Sequence, residues 1–249
     1  MNAKKKPYFS IVTVVLNKEK TIEKTIKSVL KQSFTNFEYI IIDGGSNDKT
    51  LQIIKRYKKK IKKIVSEKDK GIYDAMNKGM KLSNGKFICM VNCGDTLTKN
   101  SLKIINKYLK KNPSNDFIFG SVKKHWGVLY GYRPNKIHYS WGFYSSHSTG
   151  FFLKNSSAKK IGLYNIKYKY HADYDYFYRM IVKNKMKGTC TKKNEITGIF
   201  EKGGFSSITP YRKMFVEELK IRYDNNQNLI LICFIALYKI FKNFKNFIK

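Results

Sequence analysis

The feature that most constrains the fold is an alternation. Between residues 9 and 109, β-rich apolar runs take turns with segments whose apolar residues recur at helical spacing. Phe9 to Leu16 (FSIVTVVL) is continuous and β-branched, the pattern of a strand covered on both faces. Lys18 to Lys31 follows, with Ile22, Ile26, Val29 and Leu30 on one side of an expected helix. Phe37 to Ile42, Ile61 to Val65 and Lys86 to Asn92 read as three more strands. Thr50 to Tyr57, Gly71 to Leu82 and Leu102 to Leu109 read as helices. Such a series implies right-handed crossovers and an α/β, Rossmann-like architecture: a mostly parallel central sheet with helices on both faces.

The pattern loosens after residue 115. Asp116 to Val122 is strand-like, and Trp126 to Tyr132 is expected to pair with it. Residues 133 to 150 read as loop, Ala172 to Val182 as helix and Ile196 to Phe200 as strand. No repeat and no Pro-rich linker interrupts the chain. We therefore expect one domain in two halves, residues 1–115 and 116–227, followed by a C-terminal helical tail over 228–249.

The formal charge of +33 raises the question of nucleic acid. Only five of the basic residues are Arg, the better phosphate fork, and many lysines fall in runs such as Lys58-Lys59-Lys60. No nucleic-acid partner is expected; anionic lipid and anionic substrates suit the charge better. The cysteines, Cys89, Cys93, Cys190 and Cys233, form no CxxC pair and suggest a reducing cytoplasm. The first residues lack the apolar region of a signal peptide.

In open parallel sheets, ligands bind beyond the carboxyl ends of the strands. Three polar clusters should meet there: Asp43 with Gly44-Gly45-Ser46, the stretch SEKDKGIYDAMNKG (66–79), and Asn92-Cys93-Gly94-Asp95. No GxGxxG follows the first strand, and no phosphate loop of the GxxxxGK type exists. That absence argues against a nucleotidyltransferase. A carboxylate at Asp43 would accept hydrogen bonds from a base or a sugar hydroxyl. The diphosphate of such a nucleotide then needs neutralising, which Mg²⁺ or Mn²⁺ does with few protein ligands. Asp95 is the candidate for that metal.

The run from Phe9 to Asp95 resembles the nucleotide-binding half of family 2 glycosyltransferases of the GT-A fold, of the type found in bacterial polysaccharide gene clusters. The resemblance rests on SIVTVVLNKEKTIEKTIKSVLKQSF, EYIIIDGGSNDKT, SEKDKGIYDAMNKG and FICMVNCGDTL, and continues in HSTGFF, HADYDYFYRM and EKGGFSS. It implies an inverting transfer of a sugar from a nucleotide diphosphate donor, UDP by family weight, to a saccharide or lipid-linked saccharide acceptor in surface polysaccharide synthesis. By position it implies that Asn17, Glu19 and Asp43 cradle base and ribose, with Lys70 and Asp74 lining the same pocket. Asn92 and Gly94 stand where the family often has carboxylates, so Asp95 alone keeps a metal-binding charge. Asp173 fills the slot of the base that deprotonates the acceptor, with Asp175 as second choice. On one helix the two point roughly 200° apart, so both are not expected to face one site. His147, Gly204 and Arg212 are expected on the acceptor or diphosphate side. A nucleic-acid-binding protein is the alternative from another class.

Leu229 to Tyr238 is apolar but too short to span a bilayer. Beyond it, Ile240, Phe241, Phe244, Phe247 and Ile248 share a face flanked by lysines, the pattern of a basic amphipathic helix lying in an anionic interface. The expectation is an enzyme held peripherally on the inner face of the cytoplasmic membrane. The competing readings are a helix packed on the protein and a homo-oligomer contact.

Overall fold

A computed structural model of the chain describes residues 6–139, 148–201 and 210–244. Its centre is β1 (Phe9–Val15), whose seven residues are all buried. β1 pairs in parallel with β2 (Phe37–Asp43), so that Val15 stands opposite Asp43. Its other edge pairs in parallel with β4 (Phe87–Met90). β3 (Lys63–Ser66) extends the sheet beyond β2, with Ser66 opposite Asp43. The second half of the chain continues the same sheet through β6 (Phe117–Phe119), β9 (Phe151–Lys154) and β10 (Gly188–Cys190). The full order is β10-β6-β9-β4-β1-β2-β3. Only β9 runs antiparallel to its neighbours, β4 and β6.

A smaller sheet, ordered β5-β11-β7-β8, is built from β5 (Thr96–Leu97), β7 (Ser121–Lys124), β8 (Gly127–Leu129) and β11 (Ile196–Ile199). The expected pairing of residues 126–132 with the preceding strand is the β7–β8 hairpin.

Strand alternation divides the core into two layers. Phe9, Ile11, Tyr39, Ile41, Phe87 and Cys89 pack with α1 (Ile22–Leu30), α2 (Thr50–Arg56) and α4 (Ser101–Lys111). Val12, Val14, Ile40, Ile42, Ile88 and Met90 pack with α3 (Ile72–Leu82) and α6 (Ala172–Tyr178). α3 lies so close to β1 that a Cβ on Gly79 would stand 2.3 Å from Val12 Cγ1.

Several bounds differ from the sequence expectation, each for a local reason. α1 begins at Ile22 rather than Lys18, because Thr50 Oγ1 and Asp48 Oδ2 accept the N–H groups of Lys18 and Glu19 and hold that segment in a turn. The expected helix 172–182 is α-helical to Tyr178 and widens into a π turn at Arg179–Lys183. There the Arg179 guanidinium donates to Asp175 and to the carbonyls of Ile161 and Leu163. β9 and α5 (Asn155–Ile161) lie where no element was expected. So does α7 (Tyr211–Asp224), because two of its buried residues, Glu218 and Arg222, are charged and blur the apolar period.

Arg222 is fully buried. It donates to Glu218, to the His138 carbonyl and to Gln227, and its guanidinium stands 5.0 Å from the Tyr174 ring centroid. Lys239 of α8 (Leu229–Lys242) closes on the other Glu218 oxygen. Burial opposes the Glu218 charge, but Lys239 and Arg222 outweigh it and hold the carboxyl below the ordinary glutamate range.

Two outcomes follow. Gly79→Leu should lose about 1–3 kcal/mol in urea denaturation through overpacking against Val12. Because the folded Glu218 pKa is depressed, its stabilisation is present above the ordinary glutamate range and fades as pH falls through the folded value. Glu218→Gln should therefore be less stable at neutral pH and show a shallower acid-side loss in pH-dependent denaturation.

Candidate functional site

The register places the polar clusters at one end of the sheet. Asp43 is level with Val15 of β1. On the other side of β1, the chain leaving β4 stays paired as far as Cys93, whose N–H reaches the Val14 carbonyl at 3.1 Å. Asp43 and Cys93 therefore flank β1 at nearly the same height, about 10 Å apart by two strand spacings.

Asn92 to Asp95 is a tight turn, closed by Asp95 N–H to the Asn92 carbonyl at 3.0 Å. Gly94 occupies its third position at φ 103°, a conformation that strains a side-chain-bearing residue. The missing carboxylate at Gly94 thus has a backbone counterpart. Asp95 is 4% exposed, and its carboxylate is gripped from two distant segments. Thr149 Oγ1 donates to Oδ2 at 2.7 Å and the Glu201 N–H to Oδ1 at 3.1 Å. Asn92 Nδ2 donates to Ser148 Oγ at 3.1 Å, while Asn92 Oδ1 is buried with no hydrogen-bond partner among the described residues. Lys124, at the end of β7, lies over the Phe200 ring at 4.4 Å. Burial pulls its pKa down while the nearby Asp95 charge opposes that shift.

This donor set fits a hard cation. It offers oxygen only, from Asp95 and the unpartnered Asn92 carbonyl, and no group of three His, Cys, Asp or Glu stands together among the described residues. A cation taking most of its ligands from a diphosphate and water requires no more.

On the other side of β1, Asp43 is fully buried. It accepts from Ser46 N–H, from Ser46 Oγ and from Ser66 Oγ at 2.6 Å. Its oxygens face these groups rather than solvent, so the residue braces the turn after β2 against the end of β3. Asn17, at φ 50°, accepts the Asn47 N–H, and its own N–H donates to Ser46 Oγ. Glu19 Oε2 accepts the Lys49 N–H at 3.0 Å. Both residues thereby tie the loop after β1 to the loop after β2. Asp48 caps α2 through the Thr50 N–H, as its sequence position suggests.

In the stretch 66–79, one lysine gathers the acids. Lys78 Nζ pairs with Asp69, with Glu67 at 2.9 Å and with Asp74 at 3.8 Å. Burial alone would lower the Lys78 pKa, but hydrogen bonds to Asp69 and Glu67 outweigh it and raise the value. Asp74 Oδ2 also accepts the Lys70 N–H, which caps the start of α3. From α3, Tyr73 OH reaches Asp173 Oδ1 at 3.2 Å and the Tyr170 carbonyl at 3.1 Å. The Tyr73 hydroxyl thereby ties the start of α6 to the first turn of α3, 100 residues away in the chain.

Asp175 takes a different direction from Asp173. It is 4% exposed, pairs with Arg179 at 2.9 Å and accepts from Asn225 at 3.0 Å, so it ties α6 to the end of α7. Arg212 is exposed in the first turn of α7. His147 and Gly204 lie outside the described residues. The sequence reading gave no role of their own to Ser46, Ser66, Tyr73, Lys124 or Thr149, although all but Lys124 fall within the runs that carry the family resemblance. Thr149 falls within HSTGFF, Ser46 within EYIIIDGGSNDKT, and Ser66 and Tyr73 within SEKDKGIYDAMNKG. A hollow lined by Glu38, Lys62, Lys63, Lys81 and Asn84 lies at the opposite, amino end of β2 and holds none of these groups.

A family model described as glycosyl transferase family 2 matches residues 10–170, from β1 through the approach to α6. The chain belongs to glycosyl transferase family 2. Among curated relatives, the PGL/p-HBAD biosynthesis glycosyltransferase of Mycobacterium bovis is 26% identical over 184 residues, 68% of each chain. The UDP-Glc:alpha-D-GlcNAc-diphosphoundecaprenol beta-1,3-glucosyltransferase WfgD of Escherichia coli is 34% identical over 116 residues, 46% of this chain and 45% of WfgD. Among solved structures, Staphylococcus aureus TarS 1-349 in complex with UDP superposes with a TM-score of 0.71 at 20% identity, covering 94% of this chain and 72% of that one. A mannosyltransferase from Pyrobaculum calidifontis, solved with GDP-Man and Mn²⁺, gives 0.63 at 14% identity, covering 89% and 64%. The fold of this family 2 chain is thus the GT-A fold expected from sequence.

Replacing Asp43 by Ala removes the shared acceptor of two hydroxyls and an N–H from a buried position, although half-buried Ser46 and exposed Ser66 can turn to water. Asp43→Ala should destabilise the family 2 fold by about 2–3 kcal/mol in urea denaturation, and Asp43→Asn by less.

Proposed function

We propose that this family 2 glycosyltransferase catalyses inverting transfer of a hexosyl or N-acetylhexosaminyl group from a nucleotide diphosphate donor, UDP first, to a lipid-linked saccharide. The setting we assign is surface polysaccharide synthesis, in capsule, O-antigen or lipooligosaccharide, on the inner face of the cytoplasmic membrane. The UDP complex of TarS and the acceptor in the name of WfgD support the choice of donor and acceptor class. The observation that carries the reading is the Tyr73–Asp173 contact, which supports the base assignment by joining a carboxylate of the second half to α3 of the first.

The chemistry assigned to each group is simple. Asp173 takes the proton of the acceptor hydroxyl as its oxygen attacks the anomeric carbon. The bond from that carbon to the diphosphate breaks on the opposite face, and the nucleoside diphosphate leaves with the electron pair. Tyr73 positions Asp173 through its hydroxyl. Asn17, Glu19, Asp43, Lys70 and Asp74 shape the wall for base and ribose. Asp95 and Asn92 would hold Mg²⁺ or Mn²⁺, and that ion supplies neutralising charge for the diphosphate. Arg212, His147 and Gly204 are assigned to the acceptor or diphosphate side.

The test is a screen of sugar nucleotides for donor hydrolysis and for transfer to a lipid-linked saccharide. Asp173→Asn should lower kcat for transfer by about 10²–10⁴-fold while thermal stabilisation by UDP persists. Asp95→Asn should raise the Mn²⁺ concentration needed for half-maximal rate. Full transfer by Asp173→Asn would remove the base assignment.

A further inference from the structure

We propose that the outward face of α8 docks on an anionic lipid surface. Ile230, Phe234, Leu237 and Phe241 recur at intervals of four and three, one stripe along the helix, and exposed Phe244 follows just past its end. Their exposures are 68%, 67%, 54%, 82% and 58%, so nothing in the described structure covers them. A contiguous apolar stripe of this kind marks an interaction surface, whereas scattered exposed residues do not.

The stripe is held in one orientation. Asn228 caps the helix by accepting the Leu231 N–H at 3.1 Å. On the inner side, Ile235 is buried and Lys239 is tied to Glu218 of α7. α8 therefore presents the same face at all times the network is intact. Its 14 residues measure about 21 Å. That is short of the ~30 Å hydrocarbon layer, and no helix among the described residues is long and apolar enough to cross a membrane. The helix would lie along a surface, its stripe sunk in and Lys242 at the head groups, while Lys239 stays with Glu218.

Charge selects the occupant. α8 contains no acidic residue, and the carboxylates of the neighbouring α7 are committed elsewhere. Glu217 accepts the N–H groups of Lys169, Tyr170 and His171; Glu218 faces Arg222 and Lys239; Asp224 faces Tyr168 and Lys167. A second copy of a chain with net charge +33 would bring like charge to this face, whereas anionic lipid neutralises it.

The inference extends the membrane side of the proposed function. Vesicle binding is measured without donor or acceptor, so either reading fails without the other. The full chain is sedimented with vesicles of phosphatidylcholine, or of an equal mixture with phosphatidylglycerol, at low and high salt. Binding should be about tenfold or more tighter on the anionic vesicles and weaken at high salt. The double substitution Phe234→Ser with Phe241→Ser should reduce that binding at least about tenfold with an unchanged melting temperature. Should the pair lower the melting temperature, Phe241→Ser alone, at the most exposed position, is the deciding variant. Absence of sedimentation, equal binding by the folded variant, or a dimer in sedimentation equilibrium that the variant converts to monomer would overturn the proposal.

Discussion

The arrangement of this protein depends on the insertion of one short strand. β9 enters antiparallel between β4 and β6 and joins the two halves of the chain in one sheet. The turn that delivers β9 also delivers Thr149, whose hydroxyl holds Asp95. Without that return, the Asp95 carboxylate would lose its contact with the Thr149 hydroxyl, although Thr25 of α1 would still hold the turn. The pairing is made of four residues, so it is stabilised by its neighbours: Phe152 and Leu153 contribute to opposite core layers.

A second constraint is electrostatic. A chain with 50 basic and 17 acidic residues places several of its few carboxylates close together at the strand ends. Like charges brought together in a half-buried rim repel unless each is answered. Here each is answered differently. Asp43 is satisfied by hydroxyls and an N–H, Asp69 and Asp74 by Lys78, Asp95 by a threonine and a backbone donor, and Asp173 by Tyr73. Uncharged donors leave the negative charge in place, which is what a site for a cation requires. Lysine cancels it, as Lys78 does beside Glu67, Asp69 and Asp74.

The legible part of the fold was the part with long periods. β1, β2, α1, α3 and α4 stand close to where hydrophobic spacing puts them, because each buries a stripe or two faces over seven or more residues. β9, β5 and β10 are two to four residues long and cannot display a period. α7 hid for another reason, since it buries an Arg–Glu pair where a sequence pattern expects apolar residues. For the site, the acids and their turn residues were visible. Which residue answers which acid was not: Thr149, Tyr73 and Ser66 lie in motif runs, but only the sheet shows that they meet Asp95, Asp173 and Asp43.

The sequence by itself determined the alternation of strands and helices, the end of the sheet where polar groups gather, and the glycine in the Asn92–Asp95 turn, because each follows from local spacing or backbone conformation. Tertiary structure alone decided that Asp173 faces Tyr73 while Asp175 turns to Arg179 and Asn225, and that α8 keeps its apolar stripe outward. Asp173 meets Tyr73 and Asp175 meets Asn225 across 100 and 50 residues of chain, and α8 is held to α7 by Glu218 and Lys239, 21 residues apart. Such pairings form only once the sheet has fixed where each segment lies, and no local pattern encodes them.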